Sequence, residues 1–279
     1  MSGPRARAPI ERLRARVLAL GAPLCLGIDP HPDQLPEELP RDARGVEAFA
    51  RGLLEAAAER AAAIKINVAF FEAFGSRGWA ALERLRADVP DDHVVILDAK
   101  RGDLSSTAER YAEGMLGHLA ADGVTLSPYL GEDAVEPFRA YPDRLLYVLA
   151  RTSNPSAPHF QDLELRDGAT VSEHVAAWVA ERWPVAEVGL VVGATAPDEL
   201  AALRGAVPGP AFLVPGVGAQ GGDLEAAVRS CHGTRAPGLV NISRAIAAAS
   251  RGSDWRRAAA AAAESWRSRM AEASATLAL

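Results

Sequence analysis

Lysine is nearly missing from this chain. Of 30 basic residues only Lys65 and Lys100 are lysine, so arginine carries almost all the positive surface charge. Cysteine is equally scarce. Cys25 and Cys231 show no Cys-x-x-Cys spacing, which argues against a disulfide framework or a zinc ribbon and fits reduced thiols in the cytoplasm. There is no basic excess. A net charge of −6 and a pI near 5.6 argue against nucleic acid or an anionic membrane as partner. No apolar run reaches the length of a membrane-spanning helix. The start is rich in arginine (Arg5, Arg7, Arg12, Arg14, Arg16), as an export signal would be. However, the following V17-L-A-L-G-A-P-L-C-L-G is broken by Gly and Pro and runs into Asp29, so a short helix and then a strand are expected there. The six histidines do not cluster at ligand spacing.

The two lysines that remain follow apolar, strand-like runs, A-A-A-I64-K65 and V94-V-I-L-D-A-K100. Lysine can give up a proton where arginine stays charged, so these are two places where arginine will not serve. The second run continues R-G-D103. Strand side chains alternate, so Asp98 and Lys100 are expected on one side, with Asp103 in the turn opened by Gly102. Two carboxylates and an ammonium at the end of a buried strand are read either as a structural ion-pair cluster or as a functional group. The lysine scarcity favours function.

Strand-like runs recur at 24–29, 62–68, 94–98, 123–126, 144–150, 188–192, 211–214 and 238–242. Helical patterns lie between them, near 45–61, 76–88, 132–140, 170–182 and 197–205. Others begin after Ser105, Ser106 and Thr107 as possible caps, end near 231, and close the chain after Asp254. The strands are apolar without alternation, which fits a parallel sheet covered on both faces. Eight strand–helix units in 279 residues predict an α/β fold, a single-domain (β/α)8 TIM barrel over 1–279 with a short N-terminal helix. The polar strand ends, Asp29, Lys65, Asp98, Lys100, Ser153, Gln220 and Arg244, then gather at the face that carries active sites in this fold.

After the seventh strand comes G216-V-G-A-Q-G-G222, a Gly-rich loop suited to an anion. As a dinucleotide fingerprint it wants an acid about 20 residues on. N241-I-S-R244 offers none, although Ser243 and Arg244 would suit a 2′-phosphate. Barrels commonly bind phosphate at the loops after strands seven and eight, which favours Gln220 and Arg244 as a phosphate site.

D98-A-K-R-G-D103 with Thr107, I64-K65 upstream, and G216-V-G-A-Q-G-G and I242-S-R244 downstream resemble the orotidine 5′-phosphate decarboxylase family. R151-T-S-N-P-S-A and S127-P-Y-L-G-E-D133 resemble its longer bacterial subgroup. The resemblance implies cofactor-free decarboxylation of orotidine 5′-phosphate to UMP, the last step of de novo pyrimidine nucleotide synthesis. It implies Lys100 as the general acid at C6 and Asp98 beside the substrate carboxylate. Asp103 would come from the partner of a homodimer and complete a Lys65–Asp98–Lys100–Asp103 array. Asp29, Lys65 and the partner-supplied Thr107 would hold the ribose, Ser153 the pyrimidine edge, and Gln220 and Arg244 the phosphate. No metal is implied. Three other readings compete: a Mg²⁺-dependent sugar-phosphate decarboxylase or aldolase on the same barrel, a non-catalytic nucleotide sensor, and an NADP oxidoreductase.

Overall fold

The computed structural model describes residues 7–232, 234 and 236–277. Arg5 of the arginine-rich start, and both ends of the expected 1–279 domain, lie outside the described residues. Eight parallel strands close a barrel in chain order: β1 (Leu24–Ile28), β2 (Ala63–Asn67), β3 (Val94–Arg101), β4 (Gly123–Leu126), β5 (Leu145–Arg151), β6 (Val188–Val192), β7 (Phe212–Val214) and β8 (Leu239–Ile242). β8 returns to pair with β1, Leu24 opposite Val240. Every residue of β1, β4, β6, β7 and β8 is buried. Alternate residues serve two cores, which is why the strands read as continuous apolar runs. Leu24, Leu26 and Ile28 face the helices; Cys25 between them joins Ala63, Ile96, Tyr147 and Leu213 inside the barrel.

The helices are α1 (Pro9–Leu20), α2 (Ala43–Ala57), α3 (Ala69–Glu72), α4 (Gly75–Asp88), α5 (Ser105–Ala112), α6 (Glu136–Arg139), α7 (Pro158–Gln161), α8 (Val171–Arg182), α9 (Pro197–Ala206), α10 (Leu224–Cys231), α11 (Arg244–Ala247) and α12 (Trp255–Leu277). α1 closes the N-terminal mouth. Its Leu13 is buried with the interior core. Its Arg12 donates to the Asp91 carbonyl at 2.9 Å and the His93 carbonyl at 2.7 Å, and pairs with buried Asp122. A buried guanidinium persists only with such partners.

Three local expectations are corrected. Ser105, Ser106 and Thr107 do not cap α5; the cap position is Leu104, without a side-chain cap bond, and the three residues form the first turn. The expected helix near 132–140 is split into a 3₁₀ turn at Gly131–Ala134 and α6, with Pro137 near the start of α6 where its missing N–H is tolerated. β3 does not end at Asp98; it continues to Arg101 through a register shift after Leu97.

Candidate active site

The C-terminal strand ends form one polar mouth, built upward from β2 and β3. Lys65 pairs in register with Gly27 on β1 and Ile96 on β3. It is buried, and its Nζ lies 2.7 Å from Asp98 Oδ2. Lys100 Nζ takes the other oxygen, Oδ1, at 2.5 Å. Asp98 is a carboxylate held between two ammonium groups. Burial would push its pKa up, but Lys65 and Lys100 override that and hold it well below the usual carboxylate range. Burial would push Lys65 down, yet the charges of Asp98 and Asp29 raise it above the ordinary lysine value. The two lysines differ in access. The Lys65 side chain is 5% exposed and that of Lys100 is 50% exposed, so Lys100 is the ammonium a ligand can meet. The Cys25 thiol inside the barrel is pushed up to about 12, chiefly by burial, and acts as a neutral apolar filler.

Asp98 and Lys100 share one side as expected, but not by simple alternation. Lys100 has φ 48°, in the left-handed region. Thr125 on β4 holds that conformation. The backbone N–H groups of Ala99 and Lys100 donate to Thr125 Oγ1 at 3.1 and 3.0 Å, and the Thr125 hydroxyl donates to Asp98 Oδ1 at 3.1 Å. A non-glycine residue in this region costs about 1–3 kcal/mol and survives only when its surroundings over-determine it.

Two cavities meet at this mouth. A smaller one of about 160 Å³ is lined by Asp29, Asn67, Asp98, Asn241, Gln220 and Arg244, among others. A larger one of about 450 Å³ is lined by Lys65, Lys100, Thr125, Gln161 and the apolar Leu149, Val191 and Leu213. Ser153 borders both. Asp29 accepts a hydrogen bond from the Ser243 hydroxyl on one oxygen; its Oδ1 and the Asn241 Oδ1 are buried with no hydrogen-bond partner among the described residues. Such acceptors cost about 1–3 kcal/mol each unless a donor arrives, and both residues line the small cavity. β1 must carry glycine beside them: a Cβ at Gly27 would stand 2.7 Å from Ser243 Cβ and 2.9 Å from Asn241 Oδ1.

The loop after β7 needs its glycines for a different reason. Gly216, Gly218 and Gly221 have φ of 102°, 87° and 75°, values that L side chains rarely adopt. The loop folds back on itself, Gly222 N–H donating to the Gly216 carbonyl at 3.0 Å. Gln220 from this loop and Arg244 at the start of α11 line the same small cavity.

Asp29, Lys65, Asp98, Lys100, Ser153, Gln220 and Arg244 are thus brought to one mouth. Asp103 and Thr107 are not brought to it by their own chain. The Asp103 carboxylate accepts the Leu104 N–H at 2.8 Å, and Thr107 is exposed. Sequence reasoning missed Thr125, Asn241 and Gln161, and it left Asn67 unassigned. For Thr125 and Asn241 a signal exists: each is a polar residue within a short, otherwise apolar strand, G-V-T-L and L-V-N-I.

Residues 22–261 match the family model described as orotidine 5′-phosphate decarboxylase / HUMPS. The chain belongs to this family. It is a carbon–carbon lyase. A relative from Roseiflexus castenholzii, called orotidine 5′-phosphate decarboxylase, is 49% identical over 246 residues, 88% of this chain and 90% of the relative. One of the same name from Herpetosiphon aurantiacus is 43% identical over 251 residues, 90% of this chain and 93% of the relative. The structure of the Leishmania donovani OMP decarboxylase superposes with a TM-score of 0.79 at 38% identity, covering 94% of this chain and 98% of that one. The family match begins after α1, so the helix that closes the barrel bottom lies outside it.

Proposed function

We propose that this enzyme decarboxylates orotidine 5′-phosphate to UMP without metal or cofactor, with Lys100 as the general acid. The observation that carries this reading is the Lys65–Asp98–Lys100 array, in which the one accessible ammonium is held at the edge of an apolar cavity. The larger cavity suits a pyrimidine, with Ser153 at its edge. The smaller one suits ribose and phosphate, with Asp29 and Lys65 for the hydroxyls and Gln220 and Arg244 for the phosphate. As the C6–carboxylate bond breaks, the electron pair stays on C6, where no ring π-system delocalises it. Lys100 meets that charge and delivers a proton from Nζ to C6, and solvent restores the lysine proton. A cation already in place costs no reorganisation when the charge develops. Asp98 beside the substrate carboxylate disfavours the ground state. Phosphate binding far from C6 supplies energy to close the 216–222 loop and exclude water.

The reading includes a homodimer in which Asp103 and Thr107 complete the partner's site. Neither residue lines the two cavities at the mouth of its own chain. Exposed apolar side chains, Leu104, Tyr129, Leu130 and Phe160, lie on the segments after β3, β4 and β5. Location in the cytoplasm and a place at the end of pyrimidine nucleotide synthesis belong to the same proposal. Among the described residues no helix is long and apolar enough to cross a membrane.

The test is the ultraviolet absorbance change of orotidine 5′-phosphate with purified protein and chelator, beside Lys100→Ala. The expected result is turnover by the wild type and none by the variant, which still binds UMP. Near-normal turnover by Lys100→Ala would remove the lysine mechanism. No absorbance change with folded wild-type protein would move the reading to Mg²⁺-dependent sugar-phosphate chemistry, and turnover lost only on adding the chelator would overturn the metal-free mechanism.

A further inference from the structure

Ser153 is gripped from two sides, on one of them by residues to which the reaction above gives no role. On one side it lies against backbone. A Cβ at Gly193 would stand 2.9 Å from Ser153 Cα, Cβ and N, and one at Gly216 would stand 3.2 Å from Ser153 Cβ. Thr195 donates its hydroxyl to the Ser153 carbonyl at 3.4 Å.

On the other side the end of α7 takes hold of the two preceding residues. Gln161 Oε1 accepts the Thr152 N–H at 2.7 Å, and Gln161 Nε2 donates to Thr152 Oγ1 at 2.8 Å. Asp162, the next residue, pairs with the buried Arg151 guanidinium, accepting from Nη2 at 3.1 Å with its other oxygen 2.8 Å from Nε. α7 is itself anchored, with Phe160 packed on the Tyr129 ring at a centroid distance of 5.6 Å and Ala157, just before the helix, buried. Gln161 lines the larger cavity with Lys100 and Thr125, and it does not line the smaller cavity that holds Gln220 and Arg244.

We propose that Gln161 is a positioning residue that sets selectivity for the pyrimidine ring by fixing the Thr152–Ser153 backbone, independently of phosphate affinity. The inference rests on the decarboxylase reading. A double hydrogen bond from one side chain to one residue leaves that residue little freedom. Without it the Thr152 N–H faces an apolar cavity unpaired, and the serine hydroxyl loses its fixed distance to the ring. Misplacement by about 1 Å is enough to impair catalysis strongly.

The experiment measures binding of UMP and of ribose 5-phosphate, and kcat and KM for orotidine 5′-phosphate, in the wild type, Gln161→Ala and Gln161→Glu. Gln161→Ala is expected to weaken UMP binding roughly tenfold, as for loss of a paired polar contact, with ribose 5-phosphate affinity unchanged. Gln161→Glu keeps an acceptor for the Thr152 N–H and is expected to recover most of the UMP affinity. Should Gln161→Ala not fold, Thr152→Val removes only the hydroxyl half of the grip and is expected to show a smaller loss of the same kind. Equal losses for the two ligands would make the contact merely structural and overturn the proposal, as would unchanged UMP affinity. A wild type that neither turns over orotidine 5′-phosphate nor prefers UMP to ribose 5-phosphate would instead overturn the decarboxylase reading, and this inference with it.

Discussion

Asp98 accepts from both lysines, and its ionisation couples site and stability. Its folded pKa lies below its unfolded value. The charge therefore stabilises the fold at pH above about 4, and that contribution is lost as pH falls from there through the depressed folded value. Lys65 has the opposite sign. Its pKa is raised, so its contribution is full below about 10.4 and is lost as pH rises beyond that. Asp98→Asn is expected to destabilise the protein by about 3 kcal/mol at pH 7, because it leaves the buried Lys65 ammonium without its carboxylate. Urea midpoints across pH check this. The gap between wild type and variant should narrow on acidification below about pH 4; a gap that holds steady there would detach the effect from charge.

β3 and β4 together make a device that neither makes alone. The register shift in β3 turns Lys100 into the left-handed region, and the Thr125 hydroxyl on β4 absorbs the two N–H groups that the shift frees. Thr125→Val keeps the shape and removes the acceptor. It is expected to lower kcat at least tenfold, through about 1–3 kcal/mol of lost hydrogen bonding, with a smaller change in KM. Thr125→Ser restores the hydroxyl and should restore most of the rate. Equal, small effects from both variants would show that Lys100 needs no help from β4. The strands themselves were legible because each is a short apolar run between loops. The shift was not, because it depends on the pairing of Arg101 with Leu126, 25 residues away. Breaks such as the one before α6 also escaped, since a proline near a helix start reads equally well as a helix beginning or as an interruption.

At the scale of the molecule, the closed barrel makes one mouth and leaves Asp103 and Thr107 outside it. A dimer in which each chain lends these residues makes a distinctive prediction. Lys100→Ala and Asp103→Ala are each expected to be inactive alone. Mixed after unfolding and refolded together, they should regain about a quarter of wild-type activity, because half the dimers are mixed and each has one intact site in a two-fold arrangement. No recovery in a confirmed mixed dimer would place Asp103 in its own chain's site, and full activity of Asp103→Ala alone would place it outside any site.

The sequence by itself determined the barrel, the lysines at β2 and β3, and the glycine loop after β7. Each is written in contiguous residues: apolar runs buried on both faces, and glycines where the backbone turns left-handed. Only the tertiary structure decided which hydroxyl holds Lys100, which amide grips the loop before Ser153, and that α1 seals the barrel bottom through Arg12 and Asp122. These contacts join residues up to 110 positions apart. Local propensity carries no information about them, because a donor and an acceptor become neighbours only once the strands between them have closed the ring.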